Sequence, residues 1–272
     1  MASPSIAPIF LRAALAVTFL WAGFGKLLDT MAVTGAKAAL LANMGVIAPL
    51  SPDAKKSSSL GQPGGVPVLS TLLAMQPASS GTPVVKEPQE PAKPAAEVPA
   101  TKSYGASDFP DERRVARMYG IALLIHAAAN PASDERGNAK WAMLPASLGQ
   151  GSTPRWLAIA AVATEIVAGL FVLVGLLTRV SALALAGTMM TAIWLTEMGP
   201  AIQNGQTILG FIPSYPAYGV DAAGKFLYAT LLWQCSLLCI AMALTFTGPG
   251  AVSFDRALFP PKGSRKADAD EE

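Results

Sequence analysis

The stretch TEIVAGLFVLVGLLTRVSALALAGTMM, residues 164–190, is almost wholly apolar and yet opens with a glutamate, Glu165. A carboxylate at the centre of a bilayer costs about 2.5–3.5 kcal/mol on insertion scales, so this side chain must face other helices rather than lipid. The stretch lies across two apolar runs, 155–177 and 180–198, which only Leu177-Thr178-Arg179 separates. Each run has the roughly 17–25 residues that a membrane-spanning helix needs, which predicts an antiparallel hairpin of two such helices.

The composition of the whole chain indicates a membrane protein. Of its 272 residues, 52% are hydrophobic and 14% are charged, whereas soluble domains carry about 25% charged residues. The net charge of +2 is too small to indicate nucleic-acid binding. A single histidine, His126, excludes a histidine-rich metal site within this chain. Cys235 and Cys239 share one apolar run, show no metal-binding pattern and are interpreted as small packing groups.

Two further apolar runs complete a set of four spans. Residues 9–28 carry Arg12 near one end and Lys26 near the other, and residues 225–247 precede a glycine- and proline-rich break. A cleaved signal peptide is the alternative for residues 9–28. It is disfavoured because the preceding residues lack positive charge and the small-x-small site after the run, Ala36-Lys37-Ala38, lies well beyond its end.

The sequence therefore predicts an all-α fold, an integral membrane four-helix bundle with an additional interfacial, amphipathic helix and a long proline-rich loop insertion. The insertion contains VVKEPQEPAKPAAEVPA, which cannot bury enough apolar area to offset its ordering entropy and is typical of an extended or disordered tether. The first predicted segment, 1–50, holds the first helix and a short interfacial segment, and the tether follows at 51–110. Residues 111–154 hold an interfacial helix (112–130) and a loop. Three spanning helices lie within 155–247, and a tail follows at 248–272.

Basic residues predict the orientation of the bundle. Arg12, Arg179 and the basic tail would all lie at one end, which the positive-inside rule places in the cytoplasm. The protein is then expected in the cytoplasmic (inner) membrane of a bacterium or archaeon, with both termini inside and residues 51–110 on the outer face. A fifth crossing at 115–130 would break this parity, which favours the interfacial interpretation of that helix.

Glu165 is the first candidate for a functional role. It lies nine residues after Trp156, which at 1.5 Å per residue places it about 14 Å below the interface. Ala160, Thr164 and Ala168 are spaced by four beside it, as in a helix-packing seam. One interpretation is a proton-handling group or a hydrogen-bond partner of a quinone headgroup. The other is a structural polar clamp between helices.

Other polar residues are predicted to share the outer half of the bundle with Glu165. Lys26 would either snorkel to the interface or bend inward to meet that carboxylate. A pocket with ionisable and aromatic walls suits a quinone or another amphipathic headgroup; ordinary packing and interfacial solvation are the alternatives. The candidate pocket comprises Glu165, Lys26, His126, Glu197, Trp21 and Trp194. At the inner end, Arg12, Arg179 and Asp255 predict either a charged girdle that fixes orientation or an Arg–Asp link between helix ends.

Three motifs resemble the DoxX family of small four-helix membrane proteins. The first is LRAALAVTFLWAGFGKLLD (11–29), with Gly23, Gly25 and Lys26. The second is TEIVAGLFVLVGLLTRVSAL (164–183), with Glu165, Gly169, Gly175, Thr178 and Arg179. The third is GPGAVSFDRAL (248–258), with Gly248, Pro249, Gly250, Ser253 and Asp255. The insertion at 51–110 departs from the family's compact form.

The resemblance implies a role beside redox enzymes, since the family includes a subunit of an archaeal thiosulfate:quinone oxidoreductase. It implies no agreed set of catalytic residues. The leading hypothesis is an accessory or scaffold subunit of a larger membrane complex, whose tether wraps a neighbouring subunit. A quinone-interacting subunit of an oxidoreductase is the alternative, and a small-solute transporter a weaker one. No metal and no intrinsic cofactor are expected, and a bound molecule would be a quinone or a lipid. The expected partners are other membrane subunits and lipid, not nucleic acid.

Overall fold

The computed structural model describes residues 6–48, 103–133, 137, 140–216, 218–222, 224–250 and 253–258. The chain divides into two units, Met1–Ile47 with Tyr104–Glu272, and Ala48–Ser103. Every helix and strand below belongs to the first unit. Most of the predicted tether and the basic end of the predicted tail lie outside the described residues.

Four helices are long and apolar enough to cross a membrane, in agreement with the predicted fold class. They are α1 (Ala7–Leu28), α4 (Thr153–Val174), the continuous segment Thr178–Gln203, which begins with α5 (Thr178–Ile193), and α7 (Ala229–Thr247). The third span continues from α5 through a π-helical turn, Trp194–Met198, into α6 (Gly199–Gln203). Three shorter helices are α2 (Gly35–Asn43), α3 (Tyr119–Ala129) and α8 (Phe254–Leu258).

The four long helices form a closed bundle. Helix α1 packs on α4, α4 on α5, α5 on α7, and α7 back on α1. The interior is apolar, with Leu15, Phe19, Val172, Leu185 and Leu244 at its centre. Large apolar side chains also cover the outside, as expected where the surrounding solvent is lipid; Phe10, Leu183, Trp233 and Phe246 are among those exposed.

The turn between α4 and α5 lies earlier than predicted. Helix α4 ends at Val174, and Gly175 follows with φ of 76°, a left-handed conformation that glycine adopts without penalty. The amides of Gly175 and Leu176 donate to the carbonyls of Val172 and Phe171, which is the Schellman arrangement of a helix end. Thr178 and Arg179, predicted in the turn, instead form the first residues of α5.

A small layer at one end of the bundle contains strands that the sequence did not predict. Strand β1 (Thr30–Val33) pairs antiparallel with β2 (Arg113–Ala116). The predicted interfacial helix is therefore shorter than expected, since its charged first residues form β2 and only α3 is helical. A β-hairpin formed by β3 (Thr207–Ile208) and β4 (Ile212–Pro213) follows α6.

Tyr104, in the last part of the predicted tether, is bonded to Asn43 at the end of α2. The side chain of Asn43 donates to the Tyr104 carbonyl at 3.1 Å and accepts from the Tyr104 amide at 2.8 Å. Phe109 is buried beside Leu41 and Val115. Residues 104–110 therefore belong to the first unit, although the sequence placed them in the tether.

Candidate functional site

Lys26 and Glu165 form an ion pair between α1 and α4. The Lys26 ammonium lies 2.5 Å and 2.6 Å from the two carboxylate oxygens of Glu165. The Glu165 side chain is 3% exposed and that of Lys26 is 31% exposed. The buried carboxylate therefore has both oxygens bonded to a cation, while that cation keeps access to the surroundings of the bundle.

Helical spacing places Glu165 on the buried face of α4. The buried residues of this helix recur every three or four positions, which is one face of an α-helix; they are Pro154, Ala158, Val162, Glu165, Ala168, Gly169 and Val172. The predicted packing seam is wrong in part: Ala160 is exposed and Thr164 is half-buried, with its hydroxyl donating to the Ala160 carbonyl. Only Ala168 of that set lies in the interface.

A glycine on α1 permits the close approach that the ion pair needs. A Cβ atom at Gly23 would lie 2.7 Å from Ile166 Cγ1 and 3.5 Å from Glu165 Cβ. Gly23 and Lys26 both lie in the last two turns of α1, so Glu165 is level with the end of α1 although it is midway along α4. The pair is therefore close to the end layer formed by β1, β2, α2 and α3.

Replacement of Gly23 by alanine is expected to destabilise the bundle by about 1–3 kcal/mol, because the added methyl group overpacks the contact with Ile166. The matched control is Gly25→Ala. A Cβ at Gly25 would meet only an Asp29 oxygen at 3.9 Å, so alanine there should be neutral or stabilising by up to about 1 kcal/mol through helix propensity. Unfolding of both variants by denaturing detergent in mixed micelles measures the difference, and equal midpoints would contradict the close-approach role.

Glu197 belongs to a different polar group from Glu165. It is 7% exposed and lies in the π-helical turn, where the Tyr215 hydroxyl donates a hydrogen bond to it and Lys225 attracts it. Burial and the neighbouring Glu197 carboxylate raise the pKa of Tyr215 above its ordinary value. The Tyr215 phenol therefore stays protonated, and remains a donor to Glu197, over the whole neutral range.

Tyr215 and Tyr228 are residues that sequence reasoning missed. Their rings pack edge-on, with centroids 5.2 Å apart. The Tyr228 hydroxyl accepts a hydrogen bond from the Tyr215 amide at 3.1 Å and lies 2.9 Å from the Pro213 carbonyl. The only signal was the density of tyrosines in the loop before α7, which does not by itself indicate that they fold back onto Glu197.

The remaining predicted pocket residues do not gather around Glu165. His126 Nδ1 lies 2.8 Å from the Gly149 carbonyl, to which it donates in the tautomer that this contact requires. Trp194 Nε1 donates to the Met143 carbonyl at 3.2 Å. Trp21 is 84% exposed on the outside of α1 and does not line the interior; the outward face of a membrane helix is as apolar as its inward face, so the sequence did not distinguish them.

The opposite end of the bundle is fastened by Arg12. This side chain is 7% exposed and donates to three carbonyl oxygens, those of Val172 at 2.9 Å, Leu173 at 2.7 Å and Pro249 at 3.2 Å. The first two belong to the last turn of α4, which carries the negative end of the helix dipole. Arg12 therefore links α1, the end of α4 and the segment after α7.

Asp255 completes this fastening. Its carboxylate accepts hydrogen bonds from the amides of Leu177 at 2.6 Å and Thr178 at 2.8 Å, at the start of α5. It also attracts the Arg12 guanidinium. Arg179 instead has an exposed side chain that lies against Gly248. Arg12 and Asp255 thus bind backbone groups at the same end of the bundle and attract each other, whereas Arg179 lies outside this arrangement.

The site residues show no arrangement suited to a metal. Among the described residues, no three His, Cys, Asp or Glu side chains lie close enough together to hold an ion. The polar groups at both ends instead bind backbone atoms or one another. These contacts neutralise charge that is buried within the bundle.

Comparison with known proteins finds a family model that matches the central part of the chain. The DoxX family model matches residues 115–198. This match confirms the predicted resemblance and includes Glu165, Thr178, Arg179 and Glu197; the motifs at 11–29 and 248–258 lie outside it. No curated protein and no solved structure matches the chain.

Proposed function

We propose that this membrane protein is an accessory subunit of a larger membrane complex of redox enzymes. The proposal is supported by the match of residues 115–198 to the DoxX family model and by the bundle of four potential membrane spans. Its bundle supplies a rigid, lipid-embedded support, and the insertion between β1 and β2 wraps a neighbouring subunit. The redox assignment rests on the family resemblance alone, and the supporting role rests on the geometry.

The observation that carries the supporting role is the internal use of the buried polar groups. Both oxygens of Glu165 are bonded to Lys26, and Glu197 accepts from Tyr215. Arg12 donates to carbonyls at the ends of two other segments. Groups that are bonded within the chain hold helices together, whereas a catalytic acid or base needs an unoccupied direction towards its substrate.

The insertion is the element we assign to partner binding. On its two sides along the chain, Asn43 and Tyr104 are hydrogen-bonded to each other, so its two attachment points on the bundle lie close together. Proline-rich segments bind by wrapping extended surfaces, with ordering entropy paid on binding. Binding of such a partner would require the insertion, whereas the stability of the bundle would not.

Deletion of residues 51–100, with a linker of about eight Gly and Ser residues in their place, is therefore expected to leave the bundle intact and to abolish partner capture. The bundle should unfold at the same midpoint, because the Asn43–Tyr104 contacts and the β1–β2 pair remain. Purification of tagged full-length and deleted proteins from their native membrane in mild detergent, followed by mass spectrometry of the bound proteins, measures capture.

The matched control for that experiment is a protein in which residues 51–100 are present in scrambled order. Loss of the same partners in both altered proteins, with an unchanged unfolding midpoint, supports sequence-specific wrapping. Full retention of every partner by the deleted protein would overturn the assignment of the insertion to partner binding. A chain that purifies alone as a stable monomer in the full-length form would overturn the accessory role itself.

A quinone-interacting role at the Lys26–Glu165 pair is the second candidate, and the partial exposure of Lys26 favours it. The ammonium group is 31% accessible beside a buried carboxylate, so a quinone carbonyl could accept a hydrogen bond from it at the bundle surface. In purified complex, Glu165→Gln should then slow quinone reduction while assembly persists. Unchanged turnover in that variant would remove this candidate.

We also propose that the Arg12 end of the bundle faces the cytoplasm. The start of α1, the α4–α5 turn and α8 meet at this end, where Arg12, Arg179 and Asp255 lie. Cysteines placed singly at Ser253 and at Ser107, in a protein whose Cys235 and Cys239 are serine, test this with a membrane-impermeant maleimide. Labelling of Ser253→Cys in intact cells would reverse the assignment.

A further inference from the structure

The hairpin formed by β3 and β4 has a turn whose backbone conformation is unfavourable for one of its residues, Leu209. Residues Ile208–Phe211 form a tight turn, closed by the Phe211 amide and the Ile208 carbonyl at 3.4 Å. Both central residues have positive φ, 55° at Leu209 and 82° at Gly210. Turns of this kind strongly prefer Asn-Gly or Asp-Gly, because a branched apolar side chain is strained in the left-handed region.

The strained leucine is also presented to the surroundings. Leu209 is 79% exposed, and its neighbours Ile208 and Phe211 are each 48% exposed. In water, asparagine at position 209 would relieve the backbone strain and remove an exposed apolar side chain. A local conformation that is unfavourable in two respects indicates a function served by the side chain that causes it.

The position of the hairpin indicates what its tip contacts. The third candidate span ends at Gln203, and the hairpin base is tied to α6 because the Gln206 amide donates to the Ala201 carbonyl at 2.9 Å. Strands of two residues extend only about 7 Å, and each interfacial layer of a bilayer is about 5–8 Å thick. A hairpin attached at a span end can therefore place its tip within the interface of the same membrane.

The charge pattern favours lipid over a protein partner. No Asp, Glu, Lys, Arg or His occurs between Met198 and Asp221, so the hairpin offers no charged group for directional pairing with a partner. Apolar and aromatic side chains without charge are the composition that partitions into the boundary between headgroups and acyl chains. We propose that Ile208, Leu209 and Phe211 insert into this boundary and anchor the end of α6 to the bilayer that holds the four helices.

Nitroxide labels on the full-length protein, reconstituted alone in phosphatidylcholine vesicles, test this anchor. The background carries Cys235→Ser and Cys239→Ser. Leu209→Cys and Phe211→Cys report the tip. Leu183→Cys, an exposed position on α5, gives the value for lipid, and Ser107→Cys, an exposed position in the end layer, gives the value for water. Collision with dissolved oxygen reports lipid, and collision with a water-soluble nickel chelate reports water.

Labels at 209 and 211 are expected to collide with oxygen several-fold more, and with nickel several-fold less, than the label at 107. Nickel accessibility equal to that at 107 would overturn the proposal, because the tip would then lie in water. Protection from both reagents would also overturn it, because the tip would then be buried against protein, a second copy of this chain. The two label sites keep the test valid if either substitution impairs folding.

Discussion

Replacement of Lys26 by methionine is expected to cost about 3–5 kcal/mol of unfolding free energy, because it leaves a buried carboxylate without a partner. The Glu165 side chain is 3% exposed and both of its oxygens depend on the Lys26 ammonium. Glu165→Leu should cost less. Lys26 is 31% exposed, so its flexible side chain can turn outward once the carboxylate is gone and regain hydration at the membrane surface.

The double variant separates this pair from ordinary packing. In Lys26→Met/Glu165→Leu no buried charge remains, and apolar replacement of a buried ion pair is often neutral or stabilising. We therefore expect the double variant to be more stable than Lys26→Met alone. Denaturing-detergent titration of the four proteins in mixed micelles gives the cycle, and Lys37→Met, at an exposed lysine of α2, is the control expected to change little.

The outcome also bears on the two candidate functions. An accessory subunit with a structural clamp should assemble normally as the double variant, since the helices stay together. A quinone-interacting subunit would assemble but lose turnover, because both polar groups are absent. If the free-energy losses of the two single variants add up to the loss of the double variant, the two side chains do not stabilise each other. A Lys26→Met variant that is at least as stable as Glu165→Leu would contradict the ion pair in the same way.

The spans and the burial of Glu165 could be predicted because one physical rule dominates each of them. A long apolar run without charge has few alternatives to crossing a membrane. A single acid within such a run must face protein. The Lys26 contact was only one of two alternatives, since a lysine near the end of α1 can also snorkel to the interface.

The end layer could not be predicted, because it depends on contacts between residues distant in sequence. Arg113–Ala116 carries too much charge for a spanning helix and was interpreted as the start of an interfacial one. It forms a strand only because Thr30–Val33, on the other side of the insertion, pairs with it. Likewise, Tyr215 meets Glu197 only because the loop before α7 folds back over the π-helical turn.

The sequence was a poor guide to which face of each helix is buried, for a different reason. Ala160 and Trp21 were expected inside but lie on the surface. In a soluble helix, polar residues mark the outer face, whereas the helices of this bundle are apolar on all sides. Small residues at spacing of four therefore occur on more than one face, and only a polar residue such as Glu165 identifies the inner one.

Replacement of Arg12 by leucine is expected to destabilise the protein by about 3–5 kcal/mol. It removes the donor to the carbonyls of Val172, Leu173 and Pro249 and leaves Asp255 without the cation that attracts it. The cost is high because the side chain is 7% exposed, so water does not replace the lost donors.

Arg12→Lys distinguishes the link from a simple orientation signal. Lysine keeps the positive charge that the positive-inside rule reads, but its single ammonium cannot reproduce the planar fork that reaches three carbonyls. We expect this variant to insert with unchanged topology and yet to lose roughly half of the stability lost by Arg12→Leu, measured by maleimide accessibility and by detergent unfolding. The exposed Arg179→Leu is the matched control at the same end and should cost less than about 1 kcal/mol. If Arg12→Lys unfolds like the unaltered protein, the positive charge alone stabilises this end. If Arg12→Leu and Arg179→Leu lose the same free energy of unfolding, the burial and geometry of Arg12 contribute nothing.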